Sequence, residues 1–337
     1  MDAAGVTQVQ AALLEWFARH RRDLPLRRDR SPYRVLVAEV MSLQTRADAV
    51  GPWLQRLTAR FPDVASLAAA DEQEVLALWQ GLGYYGRARH LHAAARLIMQ
   101  LHGGAVPADP AALRALPGVG PYVAGAVASF AFGHDAVAFD ANAARVLSRL
   151  CNVDRATEAL AQTFLPPGRA ADWNEAVMDL GALVCVPRNP RCALCPLVDL
   201  CGGHRAGRAA ELPIRAPTRP KPEVQVTTLV LRDAAGRLGL IQRPSKGLLA
   251  AMWEFPGIED SVSPKAVARH HGLRLETVPQ PLAALRHVFT HRAWNVQPYR
   301  VVGSGPVRWV AVAELAAVPL AGPTARLAAG AGAAPPK

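Results

Sequence analysis

Apolar residues recur at helical spacing along roughly the first 205 residues of the chain. Ser31 followed by Pro32 is a typical helix start, because serine caps a first turn well and proline suits the first helical position. Short segments containing glycine and proline separate the periodic stretches. The pattern predicts an all-α domain with helices at 9–19, 33–45, 62–82, 87–102, 109–116, 121–132 and 142–151.

The pattern changes after a segment in which four prolines lie among basic residues. They are Pro213, Pro217, Pro220 and Pro222. We expect a stiff, solvated linker at 206–223. Beyond the linker, two runs of residues typical of β-strands lie on either side of a turn at 233–236, and two further runs of this kind follow. They predict strands at 225–231, 237–243, 296–302 and 307–312. The second domain is therefore expected to be α+β, at 224–325, with a disordered tail at 326–337.

The basic composition of the chain suggests a polyanionic binding partner. The chain has 337 residues, 51% of them hydrophobic, and a formal net charge of +11. This charge favours binding to nucleic acid or to an anionic membrane surface, although an arginine-rich proteome would also produce it. The first ten residues show no signal-peptide pattern, and the longest apolar run, 123–132, is too short to span a bilayer. We therefore expect a soluble cytoplasmic protein with no segment that spans a membrane.

Four of the five cysteines lie close together, with the spacing C-x6-C-x2-C-x5-C. They are Cys185, Cys192, Cys195 and Cys201. Four thiolates on one short segment can surround a compact [4Fe–4S] cluster. A structural zinc ion also takes four cysteines, but zinc sites usually pair two CxxC knuckles and this segment has one. The spacing therefore favours the iron–sulfur cluster, with zinc as the alternative.

The loop 116–120, of sequence LPGVG, precedes a predicted helix that opens at Pro121. Gly118 and Gly120 would let the backbone approach a ligand closely, and the N–H groups of the following helix would attract an anion. A plain interhelical turn is the alternative reading of five such residues. Together with the helix start near Asp140, the loop predicts a helix-hairpin-helix element that binds DNA phosphates.

Several segments in order resemble the endonuclease III superfamily of base-excision repair glycosylases. They are LPGVG (116–120), FDANAARVLSRL (139–150), WNEAVMDLGALVC (173–185) and the four cysteines. Within it, three more segments resemble the MutY-type adenine DNA glycosylases: EVMSLQT (39–45), GLGYYGRARHLHAA (81–94) and GLLAAMWEFPG (247–257). The resemblance implies a monomer that removes adenine opposite 8-oxoguanine or guanine from double-stranded DNA, at the nucleoid of a bacterial cell.

The same resemblance implies the domain plan. A helical glycosylase domain at 1–205 would comprise a six-helix barrel module at about 22–132 and an iron–sulfur module at 1–21 plus 133–205. A Nudix-like domain at 224–325 would read the lesion through Phe289, Thr290 and His291. Hydrolysis by that domain is not expected, because residues 263–272 contain no glutamate to hold Mg²⁺.

Two carboxyl groups suit the chemistry of breaking the bond between adenine and its sugar. One carboxylic acid can protonate the purine while an ionised carboxylate stabilises the sugar cation. Glu39 lies in an apolar stretch, where burial would raise its pKa and keep it protonated. Asp140 lies at a helix start, where N–H groups would favour the ionised form. Each alone is more often a surface or capping residue, and the match to the family's acid and aspartate reverses that expectation.

Position 122 distinguishes the two subtypes of the superfamily. Bifunctional relatives have a lysine there that forms a Schiff base with the sugar and cleaves the strand. This chain has Tyr122, and its first lysine is Lys221. We therefore expect a monofunctional enzyme without significant strand cleavage, in which Tyr122 positions water or the sugar.

The resemblance implies further site residues. Asn142 and Glu175 match positions that orient the sugar, water or adenine, and Arg27 matches a contact near the adenine pocket. Gln44 and Tyr84 match residues that wedge into the base stack while adenine flips out, with Leu82 as an apolar partner. A lesion-binding protein with little or no catalysis is the alternative function, and it would predict the loss of Glu39 or Asp140.

Overall fold

The computed structural model describes residues 2–214 and 220–330. The chain divides into two compact units, one made of 1–69 and 90–217 and the other of 70–89 and 218–337. The segment 70–89, expected in the helical domain, thus clusters with the second unit. Gln73 explains this, because its Nε2 donates to Ala251 O at 3.1 Å and its Oε1 accepts from Trp253 Nε1 at 2.9 Å.

The helices up to residue 205 begin and end as follows: α1 Ala3–His20, α2 Pro32–Ser42, α3 Ala47–Arg60, α4 Val64–Ala68, α5 Glu72–Leu78, α6 Gly86–His102, α7 Pro110–Arg114, α8 Pro121–Phe132, α9 Ala141–Leu150, α10 Glu158–Thr163, α11 Ala170–Leu183 and α12 Gly202–Arg205. Helix α3, with Pro52 inside it, was not predicted. The single helix predicted at 62–82 is wrong, because α4 ends at Ala68 and Asp71 caps a new helix, α5, by accepting a bond from Gln73 N.

A continuous apolar core joins α1, α9 and α11. Val9 and Phe17 of α1 pack with Leu147 of α9 and with Trp173 and Leu180 of α11. This core also contacts Cys185 and Cys195, so the segment that carries the cysteines is anchored on the helices. The start of α9 and the cysteine segment are consequently held on one packed body.

The second unit is built on a mixed sheet. Its strands are β1 Glu223–Arg232, β2 Leu238–Gln242, β3 Trp253–Glu254, β4 Gly257–Ile258, β5 Arg274–Leu275, β6 Gln280–Pro281, β7 Leu285–Val288, β8 Ala293–Ser304 and β9 Arg308–Val310. The central path runs β3-β2-β1-β8-β5, with β4 on β1, β6 and β7 on β8, and β9 on β2. Strands β1 and β8 are parallel, with Glu223 opposite Ala293 and Arg232 opposite Val302.

Both faces of β1 are buried. Val230 faces a core that includes Phe255 and Ala328, and Ala328 belongs to α14 (Gly322–Gly330). Leu229 faces the opposite core with Val267 of α13 (Pro264–His270). Helices on both faces complete the layered architecture expected of this domain.

Two boundary predictions are corrected by these packing contacts. The predicted disordered tail at 326–337 is helical as far as Gly330, because Ala328 is buried against the sheet; residues 331–337 lie outside the described part. The predicted linker begins too early, because Leu212 is buried and Ile214 N donates to Asp154 O at 2.9 Å. Its residues 215–219 also lie outside the described part.

No helix in the described part of the chain has the length and apolar character needed to cross a membrane.

Candidate active site and cluster site

Glu39 and Tyr122 meet in the interior of the helical unit. Glu39 lies on α2 with only 3% of its surface exposed, and Tyr122 at the start of α8 donates its hydroxyl to Glu39 Oε2 at 2.6 Å. Burial raises the pKa of Glu39 to about 7, and the nearby charges of Glu175 and Asp140 act in the same direction. The Tyr122 bond and the Arg27 charge oppose this rise. Glu39 can therefore hold or release a proton near neutral pH.

Asp140 caps the start of α9. Its Oδ1 accepts from Ala143 N at 2.7 Å and its Oδ2 from Asn142 Nδ2 at 2.7 Å. Burial raises the pKa of Asp140 above its usual range, while the bonds from Ala143 N and from Asn142 lower it. The N–H groups at the helix start thus favour the ionised form, as expected, and burial acts against them. Asn142 in turn accepts from Arg145 Nη2 at 2.8 Å, which fixes the orientation of its amide.

Close packing places this helix start. A side chain on Gly181 of α11 would bring its Cβ within 2.7 Å of Asn142 Cβ. Glycine at 181 thus lets α11 approach the beginning of α9, where Asp140 and Asn142 lie. The sequence signal for this contact is the glycine within the segment 173–185.

Two buried carboxylates on α11 bind a group of arginines: Arg21, Arg22, Arg27 and Arg30. Glu175 accepts from Arg30 Nη2 at 2.6 Å and pairs with Arg27 Nε at 3.2 Å. Asp179 has no exposed surface, and it accepts both Arg27 terminal nitrogens, at 2.8 and 2.9 Å. Arg27 and Glu175 are therefore brought together, as two of the expected site residues. Sequence reasoning missed Asp179, whose signal was a carboxylate one helical turn after Glu175 in an apolar segment.

The hairpin loop joins α7 to α8. Gly118 has φ +75°, and a Cβ at this position would lie 2.6 Å from His90 Cβ, so both conformation and space require glycine. Gly120 caps α8 with extended backbone, leaving the N–H groups of the first turn available to a ligand. The geometry suits the predicted phosphate contact.

The expected wedge residues differ in accessibility. Gln44 and Tyr84 are both exposed and both have left-handed backbone, with φ of +57° and +50°. Such conformations are costly for residues other than glycine and are common at functional sites. Leu82 is buried, which counts against the prediction that it enters the base stack.

Phe289, Thr290 and His291 form the tip of the β7–β8 hairpin. Phe289 N donates to Arg292 O at 2.8 Å, and the Phe289 ring contacts the Trp294 ring edge-to-face at 5.0 Å between centroids. Thr290 and His291 are exposed. Thr290 Oγ1 donates to Tyr84 Oη at 3.4 Å, so a lesion-reading candidate and a wedge candidate lie in contact within the second unit.

The four cysteines line one cavity in the helical unit. They are free thiols: Cys185, Cys192, Cys195 and Cys201. No three histidine, cysteine or acidic side chains of residues 2–214 and 220–330 come together in a way that suits a single metal ion. Four thiols that line one cavity fit the multi-atom cluster that their spacing predicts.

Three family matches cover most of the chain. Residues 37–167 match the HhH-GPD superfamily of base excision DNA repair proteins, 185–201 the iron-sulfur binding domain of endonuclease III, and 227–330 the NUDIX domain. A solved thermostable thymine-DNA glycosylase is similar with a TM-score of 0.57 at 29% identity, covering 61% of this chain and 100% of that one. Fold, hairpin and cysteines thus define a DNA glycosylase of base-excision repair with an iron–sulfur cluster.

The curated relatives narrow this class. The chain is 33% identical to an adenine DNA glycosylase of Rattus norvegicus, over 90% of this chain and 72% of the relative. It is 34% identical to that of Homo sapiens, over 92% and 70%. The chain belongs to the adenine DNA glycosylase family, which confirms the predicted resemblance, fold class and iron–sulfur cofactor.

Proposed function

We propose that this enzyme removes adenine opposite 8-oxoguanine or guanine from double-stranded DNA and leaves the strand intact. The observation that carries the proposal is the buried Glu39–Tyr122 pair. Glu39 provides a carboxylic acid with a pKa near 7, and Tyr122 occupies the position at which a strand-cleaving relative would have an amine. Family membership supports adenine as the base.

In the proposed mechanism, adenine leaves the base stack and is bound at Glu39. Glu39 protonates the purine, which makes it a better leaving group and weakens the bond to the sugar. Asp140, whose oxygens accept bonds from Ala143 N and Asn142 Nδ2, stabilises the positive charge that develops on the sugar. Glu39, now ionised, accepts a proton from the attacking water, and Tyr122 and Asn142 orient that water.

The proposal of a monofunctional enzyme rests on the lack of lysine in the helical unit. No lysine precedes Lys221 in the sequence, so the helical unit has no lysine that could attack the sugar. The Tyr122 hydroxyl is held by the acid itself, and burial raises its pKa well above the usual range, which keeps it a poor nucleophile.

Lesion recognition is assigned to the hairpin tip of the second unit. Phe289 is half-buried and rigidly packed, whereas Thr290 and His291 present exposed hydrogen-bonding groups. The contact between Thr290 and Tyr84 supports joint action of reader and wedge on the same base pair. The cysteines hold the cluster, which when bound supplies a structural anchor for the segment that follows α11.

The test is a duplex with one adenine opposite 8-oxoguanine, analysed with and without hot alkali. Cleavage that needs alkali and disappears in Glu39→Gln is expected. Cleavage without alkali would contradict the monofunctional proposal. Tight binding without cleavage in either sample would instead support the lesion-binding alternative.

A further variant tests position 122 directly. Tyr122→Lys places an amine beside the sugar, and we expect borohydride to trap a covalent complex with DNA that contains an abasic site. The wild-type protein, treated identically, should show no such complex.

A further inference from the structure

Arg149 is a buried cation on the last turn of α9. Only 2% of its surface is exposed. Its Nε donates to Leu212 O at 2.9 Å, its Nη1 to Val186 O at 2.8 Å, and its Nη2 to Pro187 O at 3.2 Å. Nη1 also donates to Cys185, to the carbonyl oxygen and to Sγ, each at 3.3 Å. The guanidinium thus ties the cysteine segment to α9 and to the segment that leaves the helical unit.

These acceptors are carbonyl oxygens and one sulfur. Within 2–214 and 220–330, no carboxylate pairs with Arg149, whereas buried Arg27 pairs with Glu175 and Asp179. A buried charge without a counter-charge is strongly unfavourable in a protein interior. Carbonyl dipoles alone offset part of that cost, so the position of Arg149 indicates an anion nearby.

The cavity beside Arg149 identifies the anion. Arg149 lines the same cavity as the four cysteines. As cluster ligands these cysteines are thiolates, and their charges outweigh that of the iron–sulfide core. We propose that Arg149 is the buried counter-ion of the iron–sulfur cluster and retains the cluster in the protein.

The sign of the effect on redox behaviour follows from charge. A reduced cluster carries one more negative charge than an oxidised one, so a neighbouring cation stabilises the reduced form more strongly. The N–H···S bond to Cys185 acts in the same direction, since hydrogen bonds to ligand sulfurs help to set cluster potentials. Arg149 therefore raises the reduction potential of the cluster.

The test compares the iron-loaded wild-type protein with Arg149→Gln and Arg149→Lys. Arg155→Gln is the matched control, because Arg155 is an exposed arginine of the same unit. The readouts are iron and sulfide per chain, the rate of iron loss to a chelator, and the midpoint potential. We expect Arg149→Gln to lose iron faster than the wild type. We also expect its ratio of oxidised to reduced cluster at a fixed potential to be about tenfold higher, which corresponds to a midpoint potential lower by about 59 mV for one electron. Arg149→Lys should lie between it and the wild type, and the control should match the wild type.

Two outcomes would overturn the proposal. One is a loaded Arg149→Gln protein with the potential and the iron loss of the wild type. The other is an Arg149→Lys protein that loses iron as fast as Arg149→Gln, since the guanidinium shape and not its charge would then matter. If Arg149→Gln holds too little cluster for a potential to be measured, the iron contents of Arg149→Gln and Arg149→Lys test the proposal, and equal contents would overturn it.

Discussion

The helical unit buries carboxyl groups in two regions with opposite partners. Glu39 accepts its hydrogen bond from the neutral hydroxyl of Tyr122, and its pKa rises to about 7. Glu175 and Asp179 are as deeply buried, but arginines bind both of them. Burial alone thus does not decide what a carboxyl group does. The charge of its partner decides whether it acts as an acid or as a fixed anion.

The difference also separates function from stability. An ion pair would keep a carboxylate ionised, so an acid that must exchange a proton cannot form one. Glu39 is instead buried beside a neutral hydroxyl, and the loss of hydration raises its pKa. The ion-paired carboxylates instead hold Arg27 in place beside it. The predictions below probe this division, and they run from the largest expected effect to the smallest.

Replacing the acid should have the largest effect. Glu39→Gln keeps the size of the side chain but removes the proton that the purine needs, and we expect a loss of about 10² to 10⁴-fold in the rate of adenine removal. Single-turnover kinetics would measure it. Unfolding by urea should remain close to that of the wild type, and a rate within threefold of the wild type would show that Glu39 is not the acid.

Replacing the fixed anion should affect folding. In the native protein the Asp179 carboxylate lies 2.6 Å from Arg22 Nε and 2.8 Å from Arg27 Nη1. Asp179→Asn removes this negative charge from both arginines. Breaking a buried pair in this way costs about 3–5 kcal/mol in the free energy of unfolding. Urea unfolding followed by circular dichroism would measure this loss. An Asp179→Asn protein as stable as the wild type would contradict a structural role for the arginine group.

Removing the phenol hydroxyl should change the pH dependence. Activity needs protonated Glu39, so the rate should fall as the pH rises through about 7. The Tyr122 bond lowers the pKa of Glu39, so Tyr122→Phe should move this descending limb to higher pH. We also expect a decrease of about fivefold in the maximal rate, for one lost bond of about 1 kcal/mol. A descending limb of the pH–rate profile that moves to lower pH would contradict the hydrogen bond from Tyr122 to Glu39.

An exposed ion pair should have the smallest effect. Arg208 Nη2 pairs with Asp154 at 2.7 Å, but two thirds of the Asp154 side chain is exposed to solvent. Water screens such a pair, so Asp154→Asn should give the unfolding curve of the wild type within measurement error. A loss comparable to that of Asp179→Asn would show that burial is not what distinguishes the two pairs.

Local patterns predicted much of this molecule. The cysteine spacing, the glycines of the hairpin and the apolar setting of Glu39 each depend on neighbours in the chain. The roles of Asp179 and Arg149 could not be predicted in this way, because they depend on groups far away in sequence, such as Arg27 and the cavity of the cysteines. The helix start at Asp140 was visible in the sequence, but the burial that raises the pKa of this carboxyl group was not.

The sequence by itself determined the class of the domains, the cluster ligands, the absence of lysine before position 221 and the candidate acid, since these are matters of composition and spacing. Only the tertiary structure decided which carboxyl meets a hydroxyl and which meets arginine, that Leu82 is buried while Tyr84 is exposed, and that 70–89 clusters with the sheet. The physical reason is that burial and electrostatic partnership are properties of the packed interior. Hydrophobic periodicity shows which faces are buried, but not what they meet there.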